Sequence, residues 1–461
     1  MGGLAAGAAI PHHGLPLVSS LAGLAALASQ SSQAATTSGY KALVCLYMNG
    51  GNDAHNWVVP IDASGYAEYA SARGELAWAA NRLQGITATG QASGRSFGMP
   101  VELAPLRDLY EAGQAAIVAN VGPLVRPITK AEYLAGVGVP AKLFSHNDQA
   151  ATWQSLAPEG APSGWGGRMG DILMSANAQP VFTAVSASGN AVFLAGSNVS
   201  QYQVGQEGPV LASGMTGASV FGSTTAGSAL QRAYAATATD RLQMEYARVM
   251  QRGLSANSTL QTALSGVNVP AIPSTAIAQI NAANTTLDKL SLARQLRMVL
   301  QMIAANQTLG MRRQVFMVQM GGFDAHNNQM RDQPVQMAQV AQSISYFMAA
   351  LNNLGLQNNV TLFTASDFGR TLLSNGDGSD HGWGSHHFVA GGAVRGRQIL
   401  GNFPATALGT STDIGAGRLL PTMGVTQLAS SLAGWMGLNA SEQQIVLPNL
   451  GSFGAGPALF G

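Results

Sequence analysis

The chain has 461 residues, of which only 10% are charged, with 23 Lys and Arg against 22 Asp and Glu. Soluble domains ordinarily carry about 25%. A formal net charge of +1 argues against a nucleic-acid binder, which needs a basic face to neutralise phosphates. With 46% hydrophobic residues the chain is no disordered acidic tail, and its length can bury a large core.

Residues 1–36 pair an apolar stretch near Leu15–Ala28 with Ser32-Gln33-Ala34, a small-x-small cleavage pattern. They read as an export leader cut near Ala34 or Ala35. The first basic residue is Lys41, so the positive n-region of such a leader would lie upstream of Met1. A membrane anchor is the competing reading. Spanning needs about 20 mostly apolar residues, and this run is short and broken by Gly and Ser. No later segment reads as a transmembrane helix, so the mature protein is expected to lack a stable membrane span and to be periplasmic or secreted.

Apolar runs that stop abruptly in Gly-rich loops recur along the rest of the chain. Leu43–Met48 leads into Asn49-Gly50-Gly51-Asn52-Asp53, and Ala115–Val121 into Gly122-Pro123. Val315–Met320 leads into Gly321-Gly322-Phe323-Asp324, Val360–Thr364 into Ala365-Ser366-Asp367, and Phe388–Ala390 into Gly391-Gly392. Near-continuous apolar runs of this length suit strands buried on both faces. The single cysteine, Cys45, lies in the first run and reads as a buried, inert thiol. It also excludes an intrachain disulfide or a Cys-rich zinc site.

Helical spacing predicts helices over Leu103–Gly113, Ala229–Arg252, Leu287–Asn306, Val335–Leu354 and Gln427–Trp435. In Leu287–Asn306, the residues Leu292, Leu296, Val299, Leu300 and Ile303 share one face. Strands alternating with helices imply an α/β fold around a mostly parallel sheet. We expect one domain over residues 37–461, with a Gly/Ser/Thr-rich and then helical insertion around 200–310. Ligands of such sheets bind beyond the carboxyl ends of the strands, where Asp53, Asp324 and Asp367 are all expected.

The sequence holds eight histidines. His12 and His13 lie in the leader. The others, His55, His146, His326, His381, His386 and His387, all fall in Gly/Asp/Asn-rich segments. Asp-x-His occurs at Asp53/His55 and Asp324/His326. Residues i and i+2 of an extended segment face one side, so each pair can aim a carboxylate and an imidazole at one point. With Asp367 and His381, these groups supply enough ligands for one or two divalent ions. The mixed set suits zinc first, with manganese or iron as alternatives, and calcium least. A two-metal site clamps both oxygens of an in-line displacement, typically at phosphorus. Ser145, beside His146, is a candidate nucleophile; it equally suits the cap of a helix beginning at Asn147. Arg370 offers a planar fork for a tetrahedral oxyanion. His386 and His387 precede a strand, with one expected to point inward. Trp57, Trp165 and Trp383 read as loop-packing residues.

The segments MNGGNDAHNWVVP, LFSHNDQAATW, GWGGRM, MVQMGGFDAHNNQ, SDFGRT and DHGWGSHHFVAGGAVRG resemble the signatures of the bacterial domain-of-unknown-function 1501 family, in order over about residues 40–440. That resemblance implies a protein exported behind a twin-arginine leader. It also implies an alkaline-phosphatase/sulfatase-like three-layer α/β/α sandwich. It casts Asp53 and Asp324 with His326 as metal ligands, although the superfamily spaces the latter pair four apart rather than two. Ser366-Asp367-Phe368-Gly369 resembles Ser-Asp-His-Gly with Phe368 in place of a ligand histidine, so a second ion would need His55 or His146 as a substitute. His381 resembles the late histidine before the last strand, and Ser145 the nucleophile.

Two functions are expected. In the first, the protein is an exported metal-dependent hydrolase of phosphate or sulfate esters. Asp53, Asp324, His326, Asp367 and His381 hold one or two ions, Ser145 with His146 attacks, and Arg370 stabilises the oxyanion. In the second, it is a non-catalytic envelope or partner-binding protein that keeps the fold.

Overall fold

The run Lys41–Met48 (β1) forms a strand at the centre of the sheet, and its side chains divide by strict alternation. Ala42, Val44, Leu46 and Met48 enter one hydrophobic cluster, while Leu43, Cys45 and Tyr47 enter another on the opposite face. Both faces are therefore covered, which is why the run is apolar from Ala42 to Met48. The computed structural model describes residues 35, 37–210, 222–223, 225–235, 240–274, 276–277 and 285–461. Apart from Ala35, the expected leader with His12 and His13 lies outside the described residues.

The other strands that position the site are Ala115–Gly122 (β2), Ala184–Ser186 (β3), Tyr202–Gly205 (β4), Arg313–Met320 (β5), Val360–Ser366 (β6) and Ser385–Ala390 (β7). Their order is β2-β7-β6-β1-β5-β3-β4, with two-residue strands at the ends completing a sheet of ten among the described residues. β1 runs parallel to β5 and β6, and β5, β3 and β4 are parallel in turn. One face carries Ser291–Ala304 and Gln329–Asn353, which contribute Leu296, Val299, Val340, Ile344 and Phe347. The other carries Trp165–Leu173 and Val425–Met436 through Met169, Leu173, Leu428 and Leu432. The fold is a three-layer α/β/α sandwich around a mostly parallel sheet.

Three of the helices bear on the site: Ala63–Arg73 (α1), His146–Ser155 (α2) and Gln329–Asn353 (α3). α3 begins earlier than the spacing predicts and runs through Pro334. Proline lacks the donor for its own i−4 bond. Tertiary bonds hold this first stretch: Gln329 and Gln333 both reach Asp53, the latter through the Asp53 carbonyl at 2.8 Å. In the expected insertion, Ala226–Ala235 and Arg241–Leu264 are helices, and residues 236–239 between them lie outside the described residues. Among the described residues, no helix is long and apolar enough to cross a membrane.

The register sets the loops side by side, since Met48 pairs with both Met320 and Ser366. The loops after β1, β5 and β6 therefore leave the sheet together. β7 departs from the parallel majority: it runs antiparallel to β6 and β2. Its carboxyl end at Gly391-Gly392 lies on the far edge. Its amino end, with the Asp380–His387 segment, joins the other loops.

Candidate metal centre

Asp324 follows β5 in a loop opened by Gly321-Gly322, and its carboxylate stays half exposed at 48%. The loop after β1 presses against it. Gly50 has φ +116°, and a Cβ there would fall on the Asp324 amide nitrogen; Gly51, at φ +82°, faces the Phe368 ring just as closely. Only glycine accepts both the torsion and the approach. His146 opens α2. His381 ends the hairpin of Arg370–Ser374 and Ser379–His381, in which Arg370 pairs with His381.

Three imidazoles converge on one oxygen. Nε2 of His146, His326 and His381 lies 3.5, 3.1 and 3.4 Å from Oδ1 of Asp324. Each opposite ring nitrogen faces an acceptor. Nδ1 of His381 donates to the Phe144 carbonyl at 2.7 Å, and Nδ1 of His146 to Asp367 Oδ2 at 2.8 Å. Nδ1 of His326 lies 3.4 Å from Asp380. A carbonyl can only accept, so His381 carries its proton on Nδ1. Burial pushes the His381 pKa below its ordinary value, outweighing the Phe144 bond and aided by Arg370 and the other two imidazoles. Its Nε2 then offers a lone pair, which lies 2.8 Å from Nε2 of His326, within hydrogen-bonding distance, and 3.4 Å from the Asp324 oxygen. Arg370 already meets this oxygen, and the gathered donors beside it can hold a further cation.

His146, Asp324 and His381 each offer a donor atom, and these all lie within 4.8 Å of one another. Their 3.5 and 3.4 Å separations match the tetrahedral edge of about 3.4 Å that follows from metal–ligand bonds of about 2.1 Å. Nδ1–H donation to a carboxylate or carbonyl is also how a ligating histidine is held and its tautomer fixed. The residues present thus fit a divalent ion.

The other expected residues occupy different positions. Asp367 orients His146 and accepts from the Gly50 amide at 3.2 Å, while its Oδ1 is buried without a partner. Asp53 is not among the gathered donors. It is buried against Arg73 of α1 and Gln329 of α3, and its other oxygen caps the His55 amide at 3.1 Å. Burial would raise the Asp53 pKa, but Arg73, with His55 and Gln329, holds it below the ordinary carboxylate value. His55 is buried, donates to the Arg370 carbonyl at 3.1 Å, and is pushed down to about 4 by desolvation.

Arg370 has no side-chain exposure. Its donors go to the carbonyls of Gly51 and Gly50, both at 2.9 Å, to that of Ser379, and to Asp324. The expected free fork for an oxyanion is therefore committed to holding Asp324 and the glycine loop. Partial burial would raise the Asp324 pKa, yet Arg370, aided by His326 and His146, lowers it. Ser145 is at the cap position of α2, which begins at His146, one position earlier than expected, but its side chain makes no capping bond and its hydroxyl donates to Asp148 at 2.8 Å. Phe368 packs against His146 and His381, with ring centroids 4.8 and 4.6 Å away. His386 and His387 are both buried, against Phe403 and Trp153 respectively. The expectation of one inward ring fell short because both are enclosed. Trp57, Trp165 and Trp383 are buried packing residues.

A family model described as a protein of unknown function, DUF1501, matches residues 40–439. The chain belongs to the DUF1501 family. No curated protein matches it. Among solved structures, this DUF1501 chain is similar to Ps i-CgsB in complex with k-i-k-neocarrahexaose. There it shares 11% identity over 88% of this chain and 74% of that one, at a TM-score of 0.32. The lipoteichoic acid synthase LtaP from Listeria monocytogenes shows 8% identity, coverage of 88% and 76%, and a TM-score of 0.30. A 2-O GAG sulfatase shows 13%, 86% and 74%, and 0.27.

Several residues of this DUF1501 site escaped sequence reading. Arg73, Gln329 and Gln333 surround Asp53 but sit on helices, where nothing in their spacing marks them out. The Phe144 carbonyl is a backbone group with no sequence signal. Asp380 could have been found, since it immediately precedes His381.

Proposed function

We propose that this DUF1501 protein is an exported, metal-dependent hydrolase of phosphate or sulfate esters that holds one ion through His146, Asp324 and His381. One observation carries the reading: three Nε2 atoms face one Asp324 oxygen while each Nδ1 faces an acceptor. His326 is the exposed fourth donor, and Asp367 orients His146. Asp53 is assigned to the fold, because it is fully buried against Arg73 and Gln329 and lies outside the gathered donors, whereas Asp324, also paired with an arginine, stays half exposed among them. When bound, the ion supplies Lewis acidity toward an ester oxygen and a lowered pKa for water.

This chain's own residues do the rest. Arg370 fixes the Asp324 carboxylate, and Phe368 covers one side of the imidazoles. Ser145 is the candidate nucleophile, with Asp148 as the acceptor for its proton. The one-domain organisation, with its insertion around 200–310, and periplasmic or secreted placement belong to the same proposal. Zinc is the favoured ion, given two imidazoles and a carboxylate.

Elemental analysis and a panel of aryl phosphate and sulfate esters test the reading. Bound zinc and ester turnover, both lost in Asp324→Ala, are expected. A metal-free protein whose ester turnover is unchanged by Asp324→Ala would reject it. The burial of Arg370 favours a second reading, a non-catalytic envelope protein that binds a partner. Metal binding without turnover of any ester would select that one.

A further inference from the structure

We propose that Phe144 and Arg418 form a clamp that positions His381 for metal binding, an inference that rests on the metal-centre reading above. His381 is gripped at two points. Its ring Nδ1 donates to the Phe144 carbonyl at 2.7 Å, and its own carbonyl accepts from Arg418 Nε at 2.7 Å. The two gripping residues also hold each other, with the Arg418 guanidinium 5.3 Å over the Phe144 ring.

The backbone shows that this arrangement is imposed. Phe144 has φ +69° and Lys142 φ +51°. A bulky residue in the left-handed region is an outlier that persists only where its surroundings over-determine it. The turn aims the Phe144 carbonyl at His381, and two residues later the chain delivers His146 to the same centre. A single tripeptide, Phe144-Ser145-His146, thus presents one imidazole and fixes the tautomer of the other. Arg418 stands on its own platform. Asp413 accepts from the amides of Gly415 and Gly417 at 2.7 and 2.9 Å, and Arg418 Nη1 donates to the Gly415 carbonyl at 3.3 Å. Neither Phe144 nor Arg418 offers a ligand atom. Both are positioning residues acting through His381, and losing such support typically weakens metal binding about 10–100-fold.

The test measures zinc affinity of the full chain by competition with a chromophoric chelator, alongside circular dichroism and melting of the metal-free protein. Arg418→Gln is expected to bind about 10–100-fold more weakly with an unchanged metal-free melting temperature. Phe144→Gly adopts the left-handed turn readily, whereas a β-branched residue resists it, so Phe144→Gly is expected to outbind Phe144→Val. Wild-type affinity in Arg418→Gln overturns the clamp. Should that variant fail to fold, Arg418→Lys, which loses the planar fork, and the two Phe144 variants decide by the same criterion. A wild-type chain that binds no zinc removes the metal centre itself. A wild-type chain that binds zinc, but no more tightly than Arg418→Gln, removes only the clamp.

Discussion

The imidazole of His146 donates through Nδ1 to the Asp367 carboxylate at 2.8 Å, although 221 positions separate the two residues. The bond leaves Nε2 of His146 free to face Asp324. Asp367→Asn keeps the shape but replaces the charged acceptor with an amide. Zinc affinity should fall about 10–100-fold while the circular dichroism spectrum stays unchanged. Chelator competition reads the change, and wild-type affinity would show that Asp367 does not support the imidazole.

Arg73 and Asp53 form a pair with 0% and 1% side-chain exposure. Removing one partner of such a pair strands a buried charge and costs about 3–5 kcal/mol. Arg73→Met should lower the stability measured by urea unfolding by that order. Asp53→Asn should also destabilise, yet leave the zinc content per chain unchanged. Because Asp53 is held below its ordinary pKa, its contribution is complete above the unfolded value near 4. It is lost as pH falls through the lower folded value.

His387 supplies a second pH effect, of the same sign. Burial pushes its pKa down to about 3, and its neighbours are Trp153 and Thr364 rather than a carboxylate. Between about pH 6.5, the unfolded value, and pH 3 the unfolded chain binds a proton that the folded chain refuses. Stability should therefore decline as pH falls through that window, by about 1.4 kcal/mol per unit for this group. His387→Phe should flatten the decline by about that slope in urea titrations at several pH values. An unaltered slope would show that the buried imidazole does not drive it.

Gly50→Ala probes the loop that presses on the metal centre. The residue has φ +116°, and its Cβ would collide with the backbone of Asp324. Strain and overlap together should cost about 2 kcal/mol or more, and the displaced carboxylate should weaken zinc binding. Gly39, at φ +69° with nothing near its Cβ position, makes a matched control. Gly39→Ala should bear only the torsional cost and bind zinc as the wild type does.

The strand runs were legible because burial on both faces leaves an unbroken apolar signature. Ala42 to Met48 show it residue by residue. β3 and β4 were not legible. Three or four residues of Ala-Val-Ser or Tyr-Gln-Val-Gly carry too little pattern, and their neighbours define them as strands. The direction of β7 was also hidden, since an apolar run reads the same both ways. That direction decides where His381 lies, because it brings the segment before β7, rather than the one after it, to the site.

By itself the sequence determined an α/β fold around a mostly parallel sheet, through alternating apolar strands and amphipathic helices, and it concentrated the titratable chemistry in a few loops. It also named Asp324, His146 and His381 among the candidates. Tertiary structure alone decided which of them meet. Asp53 and Asp324 look equivalent as strand-end aspartates, and each meets an arginine, but the first is sealed against Arg73 of α1 while the second stays half exposed and faces three imidazoles. Arg370 likewise looked like a free cation until its burial showed the donors committed to backbone carbonyls and Asp324. Local sequence fixes what a side chain can offer. Partners from distant parts of the chain fix whether that capacity is spent on the fold or left for a ligand.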